Sequence, residues 1–145
     1  GTVEIHADGG TVPIVGVFNG CQFTDPTTGE QKFSNFYPAS TNASDIIAFI
    51  IDDPMVVFEV QADAAFPIAD LFGNFDIVYT TAGSTTTGIS GSELKVSDGG
   101  TATTLSLKAI DISQDPENSD VGSANTNVKV VIQNHIFGVK GAGLA

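Results

Sequence analysis

Apolar residues recur at every second position, in short runs broken by Gly, Pro, Asn and Asp, and that period restricts the chain to β-strands. Leu105, Leu107 and Ala109 alternate with Ser106 and Lys108, and Val128, Val130 and Ile132 alternate with Lys129 and Val131. Each trio therefore points to one side of a strand, toward a core. Only residues 62–72 have a helical look, because Pro67 suits a first helical position and Gly73 a stop. About eight strands at short spacing, without helix–strand alternation, predict an all-β chain. The expected architecture is a single-domain antiparallel β-barrel or β-sandwich with at most one short helix near residues 66–72. Alternation carries no strand order, so barrel and sandwich both stand.

Along the chain, Thr2-Val3-Glu4-Ile5-His6 alternates, and residues 12–18 form a second run whose Pro13 places it at an edge or a bulge. Strands on either side of Asp25-Pro26-Thr27-Thr28-Gly29 predict a hairpin, since Pro sets a first turn position and Gly tolerates positive φ. The unbroken apolar run Ile46-Ile47-Ala48-Phe49-Ile50-Ile51 predicts a strand covered on both faces. Residues 80–92 form a Gly/Ser/Thr loop, Asp98-Gly99-Gly100 a turn, and residues 111–122 an acidic loop. The organisation expected is an N-terminal arm or edge strand over 1–11, one all-β domain over 12–137 and a Gly-rich tail over 138–145.

Charge removes whole classes of function. The 145 residues carry a formal charge of -12, and all five cations are lysines. A nucleic-acid partner needs neutralised phosphates, and this chain repels them. With no arginine there is no bidentate clamp for phosphate or carboxylate. No apolar stretch reaches membrane-spanning length, and no signal peptide is read at the start. The one cysteine, Cys21, has no partner for a disulfide and reads as a small hydrophobe.

Motifs that carry chemistry are few. His6 and His135 have no spaced ligand set beside them. Gly83-Ser84-Thr85-Thr86-Thr87-Gly88 has the outer glycines of a phosphate loop but is followed by Ile89-Ser90, not by Lys. The candidate ion site is the acidic cluster Asp111, Asp115, Glu117 and Asp120, which matches no EF-hand spacing. Otherwise no metal, cofactor or catalytic group is expected. The aromatics Phe33, Phe36 and Tyr37 crowd one segment and cannot all face one core from a strand, so they are candidates for contact with another chain. Val3 and Ile5 join them as candidates on the N-terminal segment.

Several segments taken in order resemble the head decoration, or cement, proteins of tailed bacteriophages, in particular those of aquatic phages such as cyanophages. They are Gly16-Val17-Phe18-Asn19-Gly20-Cys21-Gln22-Phe23-Thr24, Phe33-Ser34-Asn35-Phe36-Tyr37-Pro38, and Ile51-Asp52-Asp53-Pro54-Met55-Val56-Val57-Phe58-Glu59-Val60-Gln61. The stretch Thr81-Ala82-Gly83-Ser84-Thr85-Thr86-Thr87-Gly88-Ile89-Ser90 and residues 128–135 fit the same pattern. The resemblance implies a virion protein without catalysis, assembled as a homotrimer on the outer surface of the capsid and stapling neighbouring subunits of the major capsid protein. A negative, strand-rich chain with edges to extend suits that position, away from packaged DNA. The alternative from the residues themselves is a β-sandwich module of a tail fibre or adhesin, binding carbohydrate or a receptor through Tyr37, Tyr79 and the acidic loop.

Overall fold

Pro26 and Gly29 bend the chain where the turn chemistry requires it. The computed structural model describes residues 3–6, 9, 11–84, 86–117, 120–139, 141 and 143. Asp25 begins the turn: its Oδ1 accepts the Thr27 N–H at 2.8 Å, its carbonyl accepts the Gly29 N–H at 2.8 Å, and Gly29 takes φ 74°. The hairpin so made joins β1 (Val17–Thr24) to β2 (Gln31–Ser34), with Thr24 opposite Gln31 and Cys21 opposite Ser34. On its other side β1 pairs antiparallel with β3 (Ile47–Ile51), through a bulge between Phe18 and Gly20. The smaller sheet therefore has the order β2-β1-β3, and β3 is an edge.

The remaining strands are β4 (Phe58–Gln61), β5 (Asn74–Val78), β6 (Glu93–Gly100), β7 (Leu107–Ile112) and β8 (Asn127–Ile132). They form a second antiparallel sheet in the order β4-β8-β7-β5-β6. Its two edges approach each other at one point, a single bridge between Ala62, just past β4, and Leu94 in β6. The pairing goes no further, so the sheet is rolled but not a closed barrel. Two antiparallel sheets in one all-β, sandwich-like domain are the architecture.

The core lies on the inner face of this larger sheet. Val128, Val130 and Ile132 meet Ile112, Ala109 and Leu107 across the β7–β8 register, and all six are buried. Phe66 is fully buried over them and tilts against Phe75 with ring centroids 5.4 Å apart. The segment that carries Phe66 is held by backbone bonds, from Gly122 N–H to the Phe66 carbonyl (3.2 Å) and from Phe72 N–H to the Ala109 carbonyl (2.9 Å). Its helical look reduces to one 3₁₀ turn, Ile68–Asp70.

Three local expectations change. The run through β3 is not covered on both faces: Ile47 and Phe49 stay open to solvent. Asp98-Gly99-Gly100 is not a turn but the end of β6, where a Cβ on Gly99 would stand 2.5 Å from the Phe75 ring. That glycine admits an aromatic rather than bending the chain. Val3 and Ile5 lie in no strand, and residues 12–18 contribute a lone bridge from Ile14 to His135 before β1 begins.

Gly16 sets the entry to β1. Its φ is 152°, and a Cβ there would fall 2.1 Å from the Ile51 carbonyl oxygen. Gly16→Ala is expected to cost at least about 1–3 kcal/mol in urea unfolding, from the backbone conformation alone. An unchanged midpoint would contradict this placement of β1 against β3.

Candidate functional site

Paired residues in an antiparallel sheet share a face, so the register sorts the smaller sheet into two sides. Phe23, Cys21 and Ala48 lie on one side, and the two ends of that row on β1 are sealed: Cys21 and Phe23 are buried. Tyr37 packs edge-on to Phe23 at 5.6 Å and its hydroxyl donates to the Thr41 carbonyl. Phe33, Gln22 and Ile47 form a row on the other side, with Phe49 opposite Gly20 and Ile51 opposite Val17. This outer side is open, with Phe33 69%, Ile47 54% and Phe49 43% exposed, and its apolar side chains share it with Gln22, Thr24 and Gln31. No charged residue lies in β3.

Between Phe33 and Phe49 the surface dips into a shallow depression of about 320 Å³, bordered also by Asn19, Ser34 and Asn35. Gly20 makes its floor. With φ 126° and the Ser34 carbonyl 2.8 Å from where a Cβ would stand, this position needs glycine.

Of the interface residues expected from sequence, Phe33 is on the open face, and Tyr37, also exposed, packs against Phe23 of the opposite face. Phe36 is half-buried, its ring beside Gly88 and its carbonyl accepting from Cys21 Sγ at 3.7 Å. Val3 and Ile5 are exposed. Burial pushes the Cys21 thiol pKa up, which keeps it protonated and a poor nucleophile.

Of the four acids of the expected ion site, Asp111 and Asp115 use their carboxylates within the fold, while Glu117 and Asp120 are bonded through their backbone. Asp111 pairs with Lys129 at 3.5 Å, Asp115 Oδ1 accepts the Glu117 N–H at 3.0 Å, and the Asp120 carbonyl accepts from Thr126 Oγ1 at 2.9 Å. Among the described residues no group of three or more His, Cys, Asp or Glu side chains is placed to hold a metal ion. In the Gly83–Gly88 loop, the Thr86 and Thr87 amides donate to Ser84 Oγ and the Gly88 amide to the Ser84 carbonyl, leaving those groups turned inward.

One constellation escapes sequence reasoning because its members are far apart in the chain. His6 Nε2 lies 3.0 Å from Ser106 Oγ, which donates to Asp76 Oδ1 at 2.6 Å. Nucleophilic catalysis needs the histidine between serine and aspartate. Here the serine is in the middle, its proton committed to the carboxylate, and Ser106 is fully buried. The arrangement ties the N-terminal segment to the larger sheet. Asn134 adds to it by donating to the Thr11 and Thr104 carbonyls, while Asn74 and Gln133 both donate to the Gly141 carbonyl and hold the closing segment.

Two carboxylates brace the smaller sheet. The Lys32 ammonium, then the Thr27 and Thr28 amides, hold Asp25 below the usual carboxylate range. The hydroxyl and then the amide of Thr24 do the same for Asp45. A depressed folded pKa contributes stability above the unfolded value, and that contribution is lost as pH falls through the folded one. Carboxyl-carbon NMR titration is expected to give both groups midpoints below about 3.9, the ordinary Asp value, with amide exchange around the 25–30 turn rising as they protonate. Midpoints at or above the ordinary value would contradict these bonds.

The fold is all-β, two antiparallel sheets with an open face on the smaller one. Compared with known proteins, the chain matches no family model, no curated sequence and no solved structure.

Proposed function

We propose that this chain is a non-enzymatic capsid decoration protein of a tailed bacteriophage, which docks as a homotrimer on the outside of the head and staples neighbouring major capsid protein subunits. The observation that carries the docking is the outer face of the smaller sheet, where Phe33, Ile47, Phe49 and Val17 stand in solvent on one side of paired strands. Apolar surface of this kind gains about 25 cal/mol per Å² when covered, and contiguous exposed patches mark contact sites. The capsid and the trimer rest on the resemblance carried by the Gly16–Thr24, Phe33–Pro38 and Ile51–Gln61 motifs. Three copies engaging one shell multiply attachments that are individually modest. The charge of -12 keeps free copies apart until the lattice gathers them.

Osmotic shock of expanded heads tests reinforcement. Decorated heads are expected to survive dilution that bursts bare ones; equal rupture would contradict a stapling role. The depression between the Phe33 and Phe49 rings, with Asn19 and Asn35 at its border, favours one other reading, a carbohydrate-binding module. Selective glycan-array binding lost in Phe33→Ser, with no binding to heads, would replace the decoration reading with that one.

A further inference from the structure

We infer that the free edge of β3 receives an extended strand from a partner protein, apolar at alternate positions in its middle and carrying Lys or Arg at its ends. It deepens the decoration reading and rests on it for the shell as the source of that strand. Sheet edges are normally guarded by charge, shortness or cover, because an open ladder invites pairing. The other edge strands of the described fold are guarded. β2 has four residues and carries Lys32, β4 carries Glu59, and β6 carries Glu93, Lys95 and Asp98. β4 and β6 also approach each other through Ala62 and Leu94. By contrast, β3 is Ile-Ala-Phe-Ile-Ile, without charge, proline or bulge of its own. Among the described residues it makes no backbone hydrogen bond on the side away from β1.

The flanks choose the occupant. Asp45 precedes the strand, Asp52 and Asp53 follow it, and all three are exposed. Among the described residues no lysine pairs with any of them. Thr24 of β1 holds both oxygens of Asp45, and the Asp53 carboxylate caps the Met55 amide at 2.8 Å, so one anchored carboxylate stands beside each end of β3. A second copy pairing antiparallel about Phe49 would bring Asp45 of one chain and Asp53 of the other, each just outside its strand, to the same end of the pair, where like charges repel. A strand with basic ends meets the same carboxylates favourably. Its middle would extend the row of Ile47, Phe49 and Ile51 on the open face, which calls for apolar residues at alternate positions.

The test uses the full chain and a synthetic probe of about ten residues, alternating valine and threonine between paired lysines, with a twin ending in glutamates. Hydrogen exchange read by NMR is expected to slow at amides of β3 when the lysine probe is added. The lysine probe should bind at least about tenfold more tightly than its twin, and lose that margin as salt rises. Backbone N-methylation of the probe should abolish binding. Ile47→Lys/Phe49→Lys, which alters two exposed side chains, should keep its melting temperature and weaken lysine-probe binding at least about tenfold. Unslowed exchange in β3, equal binding of the two probes, or self-association protecting the same amides would overturn the inference. Heads separate it from the decoration reading. Decoration unaffected by saturating lysine probe would overturn the edge as the shell contact alone. Probe binding at β3 with no decoration of heads would leave the edge inference standing and remove the decoration reading.

Discussion

Phe66→Ala is expected to lower the unfolding free energy by about 3–5 kcal/mol, the range for deleting a buried aromatic ring. Phe66 is fully buried, against the Phe75 ring and under the apolar face of β7 and β8. Its carrying segment is pinned at the Phe66 carbonyl and again at Phe72, so the backbone cannot sink far to refill the space. A domain of this size has about 5–15 kcal/mol in total, so the variant should sit close to unfolding at moderate urea. Urea unfolding followed by circular dichroism reads the loss as a fall in midpoint at unchanged slope. A loss below about 1 kcal/mol would mean that the core does not close over Phe66.

The second large effect falls on attachment and leaves the fold alone. Phe33→Ser/Phe49→Ser removes both aromatic walls of the open face, and neither ring belongs to the buried core. Stability should change by no more than about 0.5 kcal/mol per site, as for exposed positions. Aromatic anchors at the centre of an interface are worth about 2 kcal/mol or more each, so attachment to heads should weaken by about 700-fold or more, at 1.4 kcal/mol per decade. Sedimentation with heads across a concentration series measures it, and the melting curve supplies the control. A variant that melts early and binds normally would reverse the assignment of these rings.

Where a local rule determined the structure, the sequence was sufficient to read it. Pro26 and Gly29 mark a turn by their own backbone preferences, and the turn is there. Val128, Val130 and Ile132 alternate against polar neighbours, and all three are buried. The run ending in Ile50-Ile51 was misleading for a physical reason. Unbroken apolar residues describe a strand with two apolar sides and do not say whether the second side is covered within the chain or by something outside it. Gly99 misled similarly, since a glycine that admits the Phe75 ring has the same letter as one that turns a corner. The His6–Ser106–Asp76 connection joins residues about 30 and 100 positions apart, and no spacing rule reaches that far. Of the site, Phe33 was legible as a surplus aromatic. The partners that make it a surface, Ile47 and Phe49, became visible only once the register placed them on its side of the sheet.

Sedimentation of the purified chain with expanded phage heads tests the proposed decoration role most directly. The expected result is saturable binding at a fixed ratio to the capsid subunits, competed away when the outer face bearing Phe33, Ile47 and Phe49 is altered. A chain that stays in the supernatant at every concentration, or pellets equally well with that face altered, would contradict it.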